Sequence, residues 1–238
     1  MQKNTSVPIW GGGVFRIEGG FSPCYDNGNR TVQVMIRNLI FDMGEVLLHF
    51  DRAYFIRRLG ISGADANLLM DQVFYSLEWV LLDRGAMEDP EAIESICRRL
   101  PEHLHPAVEA LVSHWDEPIL PVAGMEELIG ECKALGYPVY LLSNASLRQH
   151  DYWNRIPGSA YFDGKLISAD VKLLKPQPEI YHLLYERFQI RPEESFFIDD
   201  SPNNIEGAYQ TGMPGFVFRG DVNALRNRLR TLGLPVKS

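Results

Sequence analysis

The sequence predicts an α/β fold, a doubly wound parallel sheet with a helical insert. Three observations predict it: short apolar runs that stop abruptly at polar clusters, helix-like segments between those runs, and one gap between runs too long for a simple crossover.

Taken in order, residues 1–34 are punctuated by Gly11 to Gly13, Gly19, Gly20, Pro23, Asn27 and Asn29 and carry no sustained apolar period. They are expected to form a loose N-terminal extension, with Val14 to Ile17 and Thr31 to Val34 as its β-prone stretches. From Ile36 the chain reads Ile36, Leu39, Ile40, Phe41 and then stops at Asp42-Met43-Gly44, as a buried parallel strand does. Similar runs are Pro138 to Leu142, ending in Ser143-Asn144, and Ser195 to Ile198, ending in Asp199-Asp200, with Gly215 to Phe218 as a further candidate. Met125 to Leu135, stopped by Gly136, and Pro178 to Phe188 have helical spacing. About 95 residues separate the first strand from the second, where a crossover needs about a dozen. In that gap Phe55 to Leu59, Ala66 to Leu82, Pro90 to Leu100 and Pro106 to Trp115 carry helical periodicity without strand-like alternation. The expected organisation is therefore an extension at 1–34, a core at 35–50 and 121–238, and a helical insert at 51–120.

Bulk properties narrow the function classes. The 238-residue chain is 45% hydrophobic and 23% charged, which is the ordinary globular range. Its formal net charge of -8, with no concentration of Lys and Arg, argues against a nucleic-acid partner. An acidic protein can still handle a small anion if a metal ion or a lysine reverses the sign locally. Cys24, Cys97 and Cys132 are too few and too scattered for a disulfide framework, and no CxxC pair suggests zinc. A reducing cytoplasm is the expected location. No stretch approaches the roughly 18 to 20 apolar residues of a membrane span, so no membrane partner is expected.

In open α/β sheets ligands sit beyond the carboxyl ends of the strands, so residues that terminate several strands should converge. Asp42, Ser143, Asn144, Asp199 and Asp200 meet that condition. Singly, Asp42 can start a turn and Asn144 can cap a helix. Together with a lysine between the last two strands, they supply the parts of a metal-assisted phosphoryl-transfer site.

The order of these segments resembles the haloacid dehalogenase superfamily over nearly all of residues 35–220. Phe41-Asp42-Met43-Gly44-Glu45-Val46-Leu47 resembles its first motif, Leu141-Leu142-Ser143-Asn144 its second, Lys175-Pro176-Gln177-Pro178 its third, and Phe197-Ile198-Asp199-Asp200-Ser201-Pro202-Asn203-Asn204 its fourth. The resemblance implies a Rossmann-like core and a type-one helical cap made by the insert. It implies Asp42 as nucleophile, Ser143 and Asn144 as binders of phosphoryl oxygens, and Lys175 as both a catalytic and a phosphate-binding group. It implies Mg²⁺ held by Asp42, the backbone carbonyl of Gly44 and Asp200, with Asp199 behind them or as an alternative ligand. The expected reaction is hydrolysis of a small phosphate ester, a sugar phosphate being the first candidate, through an aspartyl-phosphate.

One position departs from the pattern. The superfamily's phosphatases usually carry a second Asp two residues after the nucleophile, and here that residue is Gly44. A positioned proton donor is worth about 10² to 10⁴ in rate, so another group must supply it. Glu45 is adjacent but needs an unusual backbone turn to reach. First motifs of this kind resemble those of bacterial sugar-phosphate phosphatases and of the N-terminal domain of mammalian soluble epoxide hydrolase. Two alternatives stay open: a metal-free dehalogenase, which the retained Asp199-Asp200 disfavours, and a catalytically silent binding module. In the insert, Trp79, Asp83 and Arg84 could face the site or could be ordinary packing and surface residues.

Overall fold

The computed structural model describes residues 35–237 and the backbone of a short antiparallel hairpin, β1 (Cys24–Tyr25) with β2 (Thr31–Val32), Cys24 lying opposite Val32. The rest of the expected extension, including Val14 to Ile17, lies outside the described residues. Residues 35–238 form a compact unit of their own.

Its centre is a parallel sheet of β3 (Asn38–Phe41), β4 (Val139–Ser143), β5 (Gly164–Ile167), β6 (Ser195–Asp199) and β7 (Gly215–Val217), in the order β5-β4-β3-β6-β7. All four pairings are parallel, with Phe41 beside both Leu141 and Ile198. Successive side chains of a strand point to opposite faces, and the core divides accordingly. Leu39, Phe41, Leu141, Phe196 and Ile198 pack on one side, with Leu128 and Ile129 of one helix and Leu225 and Leu229 of another. Ile40, Leu142 and Phe197 pack on the other, with Ile180, Tyr181, Leu184 and Ala208. Apolar runs without alternation are what burial on both faces requires. The chain moves outward from β3 through β4 to β5, then returns to place β6 on the opposite side of β3. The carboxyl end of β3 is therefore the point where a ligand crevice opens.

The insert contributes α1 (Arg52–Arg58), α2 (Gly63–Leu69), α3 (Leu77–Asp83), α4 (Asp89–Cys97) and α5 (His105–Ser113). The core helices are α6 (Met125–Ala134), α7 (Gln149–Tyr152), α8 (Ser168–Val171), α9 (Pro178–Phe188), α10 (Pro202–Gln210) and α11 (Val222–Thr231). Outgoing and returning chain run side by side, His49 N–H donating to the Leu120 carbonyl at 2.7 Å and Val122 N–H to that of Leu47 at 2.9 Å. Phe50, Phe55, Phe74, Trp79 and Trp115 then form one aromatic cluster, with Phe50 and Trp115 edge to face at 4.8 Å and Trp115 reaching Tyr152 of α7 at 5.2 Å. Among the described residues no helix is long and apolar enough to cross a membrane.

One expectation is corrected in detail. The single helix expected over Ala66 to Leu82 is broken: α2 gives way to a π-helical turn at Met70–Phe74, and α3 starts afresh. Ser76 is the cause, since its hydroxyl donates to the Val73 carbonyl at 2.8 Å and accepts the Trp79 N–H at 3.2 Å, capping the new helix. The edge strand β5 was not anticipated.

Candidate active site

The site is built where β3, β4 and β6 end. Asp42 N–H donates to the Ile198 carbonyl at 2.8 Å, so the last bond of the sheet holds the Asp42 backbone beside β6. Beyond it the chain coils tightly: the Met43 carbonyl accepts N–H groups from Leu47 at 2.8 Å and Leu48 at 3.2 Å. Glu45 does adopt an unusual turn, with φ of 54°. That turn ties its carboxylate to the loop, Oε1 accepting the Phe50 N–H at 2.8 Å and the other oxygen lying 3.4 Å from His49, while Glu45 still lines the cavity rim. Glu45 closes the loop.

Lys175 occupies the centre of the charged groups. Its Nζ donates to Asp199 Oδ2 at 2.7 Å and to the Leu142 carbonyl at 3.0 Å and forms an ion pair with Asp42 Oδ1 at 2.8 Å. Its charge stands beside the cavity rim, where the expectation placed a phosphoryl group. Asn144 holds the lysine's backbone from both sides, Oδ1 accepting the Lys175 N–H at 2.8 Å and Nδ2 donating to the Lys175 carbonyl at 3.1 Å. The side-chain amide is thus engaged on the backbone of the lysine. Ser143 is buried at the end of β4. Asp199, wholly buried, also accepts the Ser201 N–H at 2.8 Å and Asn204 Nδ2 at 3.1 Å. With that many partners it fits behind the site better than at a metal.

Asp42, Asp199 and Asp200 present carboxylate oxygens within 4.8 Å of one another. Burial pushes the Asp42 carboxyl up to about 7 against the pull of Lys175, and Asp199 adds to the rise. Burial raises Asp200 as well, again helped by Asp199. For Lys175, burial pulls downward, but Asp199 and Asp42 outweigh it and hold the ammonium above the ordinary lysine value. Three carboxylates around one buried ammonium leave a formal surplus of two negative charges, which a divalent cation neutralises. All-oxygen donors at a strand-end rim match what Mg²⁺ prefers.

The same rim opens into a cavity of about 250 Å³ lined by Asp42, Gly44, Ser143, Asn144 and Asp200 from the core and by Phe50, Arg52, Trp79, Asp83 and Trp115. Trp79 and Asp83, left undecided from sequence, face the site; Arg84 does not line it. Arg52 was missed altogether. Its guanidinium lies over the rings of Phe50 at 4.8 Å and Tyr75 at 5.5 Å, contacts that no local pattern announces.

Against known proteins, residues 36–212 match the model of the haloacid dehalogenase-like hydrolases. The chain belongs to this family of hydrolases. It is 25% identical over 195 residues to a D-ribitol-5-phosphate phosphatase of Bacteroides thetaiotaomicron, covering 76% of this chain and 91% of that one. It is 28% identical over 113 residues to flavin mononucleotide hydrolase 1 of Arabidopsis thaliana, covering 48% of this chain and 46% of that one, so it spans about half the length of that relative. A family enzyme of Bacteroides thetaiotaomicron solved with magnesium and inorganic phosphate superposes with a TM-score of 0.58 at 24% identity, over 80% of this chain and 98% of that one. That likeness shows the fold.

Proposed function

We propose that the protein is a Mg²⁺-dependent phosphatase that hydrolyses a small phosphorylated metabolite, a sugar phosphate in particular, through an aspartyl-phosphate on Asp42. One observation carries the reading: Lys175, clamped between Asp42 and Asp199 with Asp200 alongside, leaves a divalent surplus of negative charge at the mouth of a cavity. A carboxylate nucleophile facing an anionic ester needs that surplus cancelled before it can approach phosphorus.

Asp42, Asp200 and the Gly44 carbonyl are the residues that would hold Mg²⁺, which when bound offsets negative charge on both nucleophile and phosphoryl group. Lys175 fixes the Asp42 carboxylate by its 2.8 Å contact and keeps its other oxygen available for attack. Ser143 and the main chain of Asn144 hold phosphoryl oxygens, while Asn144's side chain keeps Lys175 in register. The insert covers the reaction: the aromatic walls of Phe50, Trp79 and Trp115 exclude water, and about 250 Å³ suits a metabolite of sugar-phosphate size. The phosphatase relative and the magnesium-phosphate complex support the same reading.

The test is a panel of several dozen phosphate esters assayed with and without Mg²⁺, using wild type and Asp42→Asn. Turnover that needs both Mg²⁺ and Asp42 is expected. Metal-independent release of halide from a 2-haloacid would transfer the protein to the dehalogenases, and inertness toward every ester would leave a binding module.

A further inference from the structure

Gly44 stands where a proton donor is expected, and a Cβ built there meets nothing within 4 Å, so the vacant position opens on the cavity. Across that cavity, on the insert, stands one carboxyl group that nothing in the scheme above has used. Asp83 is the last residue of α3, and it lines the wall that faces Asp42, Ser143 and Asp200.

Its backbone is tied to the core at two points. The Ser168 hydroxyl donates to the Asp83 carbonyl and accepts the Ala145 N–H at 2.9 Å, so one side chain joins Asp83 to the segment directly after Asn144. Two residues on, Gly85 has φ of 67° and lies so close to α8 that a Cβ would overlap the Ala169 carbonyl. Insert and core therefore meet through rigid main-chain contacts, the support that a catalytic side chain needs. Arg52 of the insert, Asp42 just beyond β3 and Lys175 are the charged groups acting on Asp83, and Tyr152 of α7 is the titratable side chain on which Asp83 acts in turn. Burial outweighs the pull of Arg52 and pushes the carboxyl up to about 7, where an acid can both give and take a proton near neutrality.

We infer that Asp83, supplied by the insert, is the general acid and base of the reaction, in the role that Gly44 vacates. The inference rests on the phosphatase reading. In the first step an Asp42 oxygen bonds to phosphorus, the bond to the ester oxygen breaks with its electron pair on that oxygen, and protonated Asp83 supplies the proton that makes the leaving alcohol. In the second, the Asp83 carboxylate takes a proton from water as the water oxygen bonds to phosphorus. The bond from phosphorus to Asp42 breaks, its electron pair returning to the carboxylate, and inorganic phosphate leaves with Asp83 protonated again.

The experiment compares wild type, Asp83→Asn and the double variant Asp83→Asn/Gly44→Asp on 2,4-dinitrophenyl phosphate, phenyl phosphate and glycerol phosphate. Phosphorylation and dephosphorylation of the enzyme are followed by rapid quench. Asp83→Asn is expected to slow phosphorylation by glycerol phosphate about 10²- to 10⁴-fold and to change that by the dinitrophenyl ester less than about tenfold, because only the poor leaving group needs a proton. Dephosphorylation should slow whatever the substrate, and the double variant should recover part of both losses. A fall of equal size for all three esters, or none, overturns the assignment. Wild type gives a reading that needs no folded variant: its dependence on leaving-group acidity should steepen between about pH 6 and pH 8 as Asp83 loses its proton. A slope constant over that range also overturns it. Wild-type turnover that is absent, or that survives Asp42→Asn, removes the phosphatase reading and this inference with it. Turnover through Asp42 with a flat leaving-group response removes Asp83 alone.

Discussion

Replacing Lys175 by Met keeps the length of the side chain and deletes the one ammonium buried between Asp42 and Asp199. Side-chain exposure is 1% for Lys175, 0% for Asp199 and 11% for Asp42, so water cannot take over as a partner. Removing one member of a buried ion pair costs about 3–5 kcal/mol, because the charge left behind stays desolvated. At about 2–4 °C per kcal/mol for a domain of this size, the melting midpoint should fall by roughly 6–20 °C. The loss carries a pH signature. Asp42 already has a folded pKa raised above that of the unfolded chain, so the folded state holds more protons in the window between about 4 and 7 and its stability falls as pH rises through that window. Lys175 opposes this rise, and without it the window extends upward. The deficit of Lys175→Met relative to wild type should therefore grow between about pH 5 and pH 8. Urea unfolding at both pH values in EDTA measures it. A deficit under about 1 kcal/mol, or one that shrinks toward alkaline pH, would refute the picture of a buried lysine compensating two carboxylates.

Mg²⁺ at about 100 times its Kd should stabilise the protein by about 2.7 kcal/mol, and the gain should vanish in Asp200→Asn; calorimetry showing the same gain in both removes Asp200 from the metal. Gly85→Ala forces a Cβ into the Ala169 carbonyl at φ of 67°, so kcat/KM should fall while the Mg²⁺-dependent stabilisation persists, and unchanged kinetics would mean that the insert is not fixed through this contact. Asp83, with a folded pKa raised to about 7, carries a stability cost that is absent below about pH 4, grows as pH rises and is complete above about pH 7, so Asp83→Asn should melt above wild type near pH 8 and level with it near pH 4. A chain beginning at Met35 should keep the midpoint of the full chain to within a few degrees, since residues 35–238 form their own compact unit; a larger drop would give residues 1–34 a packing role.

What the sequence made legible follows from how locally each feature is encoded. Strands buried on both faces must be apolar throughout and must end where polar residues begin, so the ends of β3, β4 and β6 and the residues Asp42, Ser143, Asn144, Asp199 and Asp200 could be read directly. The edge strand β5 escaped because Gly164-Lys165-Leu166-Ile167 is short and half polar, which is what an edge permits. The break in the insert at Ser76 depends on a single hydroxyl serving two backbone groups, and helical periodicity runs straight through it. Asn144 was legible as a site residue; its commitment to the backbone of Lys175 was not, because the partners are 31 positions apart. Asp83 and Arg52 belong to the site only through the packing of the insert on the core, which no pattern within a helix encodes.

The most direct test of the account is to quench the wild-type enzyme with acid during turnover of a phosphate ester and to locate any covalent phosphate by peptide mass spectrometry. Phosphate is expected on Asp42, dependent on Mg²⁺ and formed and lost at rates that match turnover. Steady turnover in Mg²⁺ with Asp42 unmodified at every time point, and undiminished in Asp42→Asn, would contradict it.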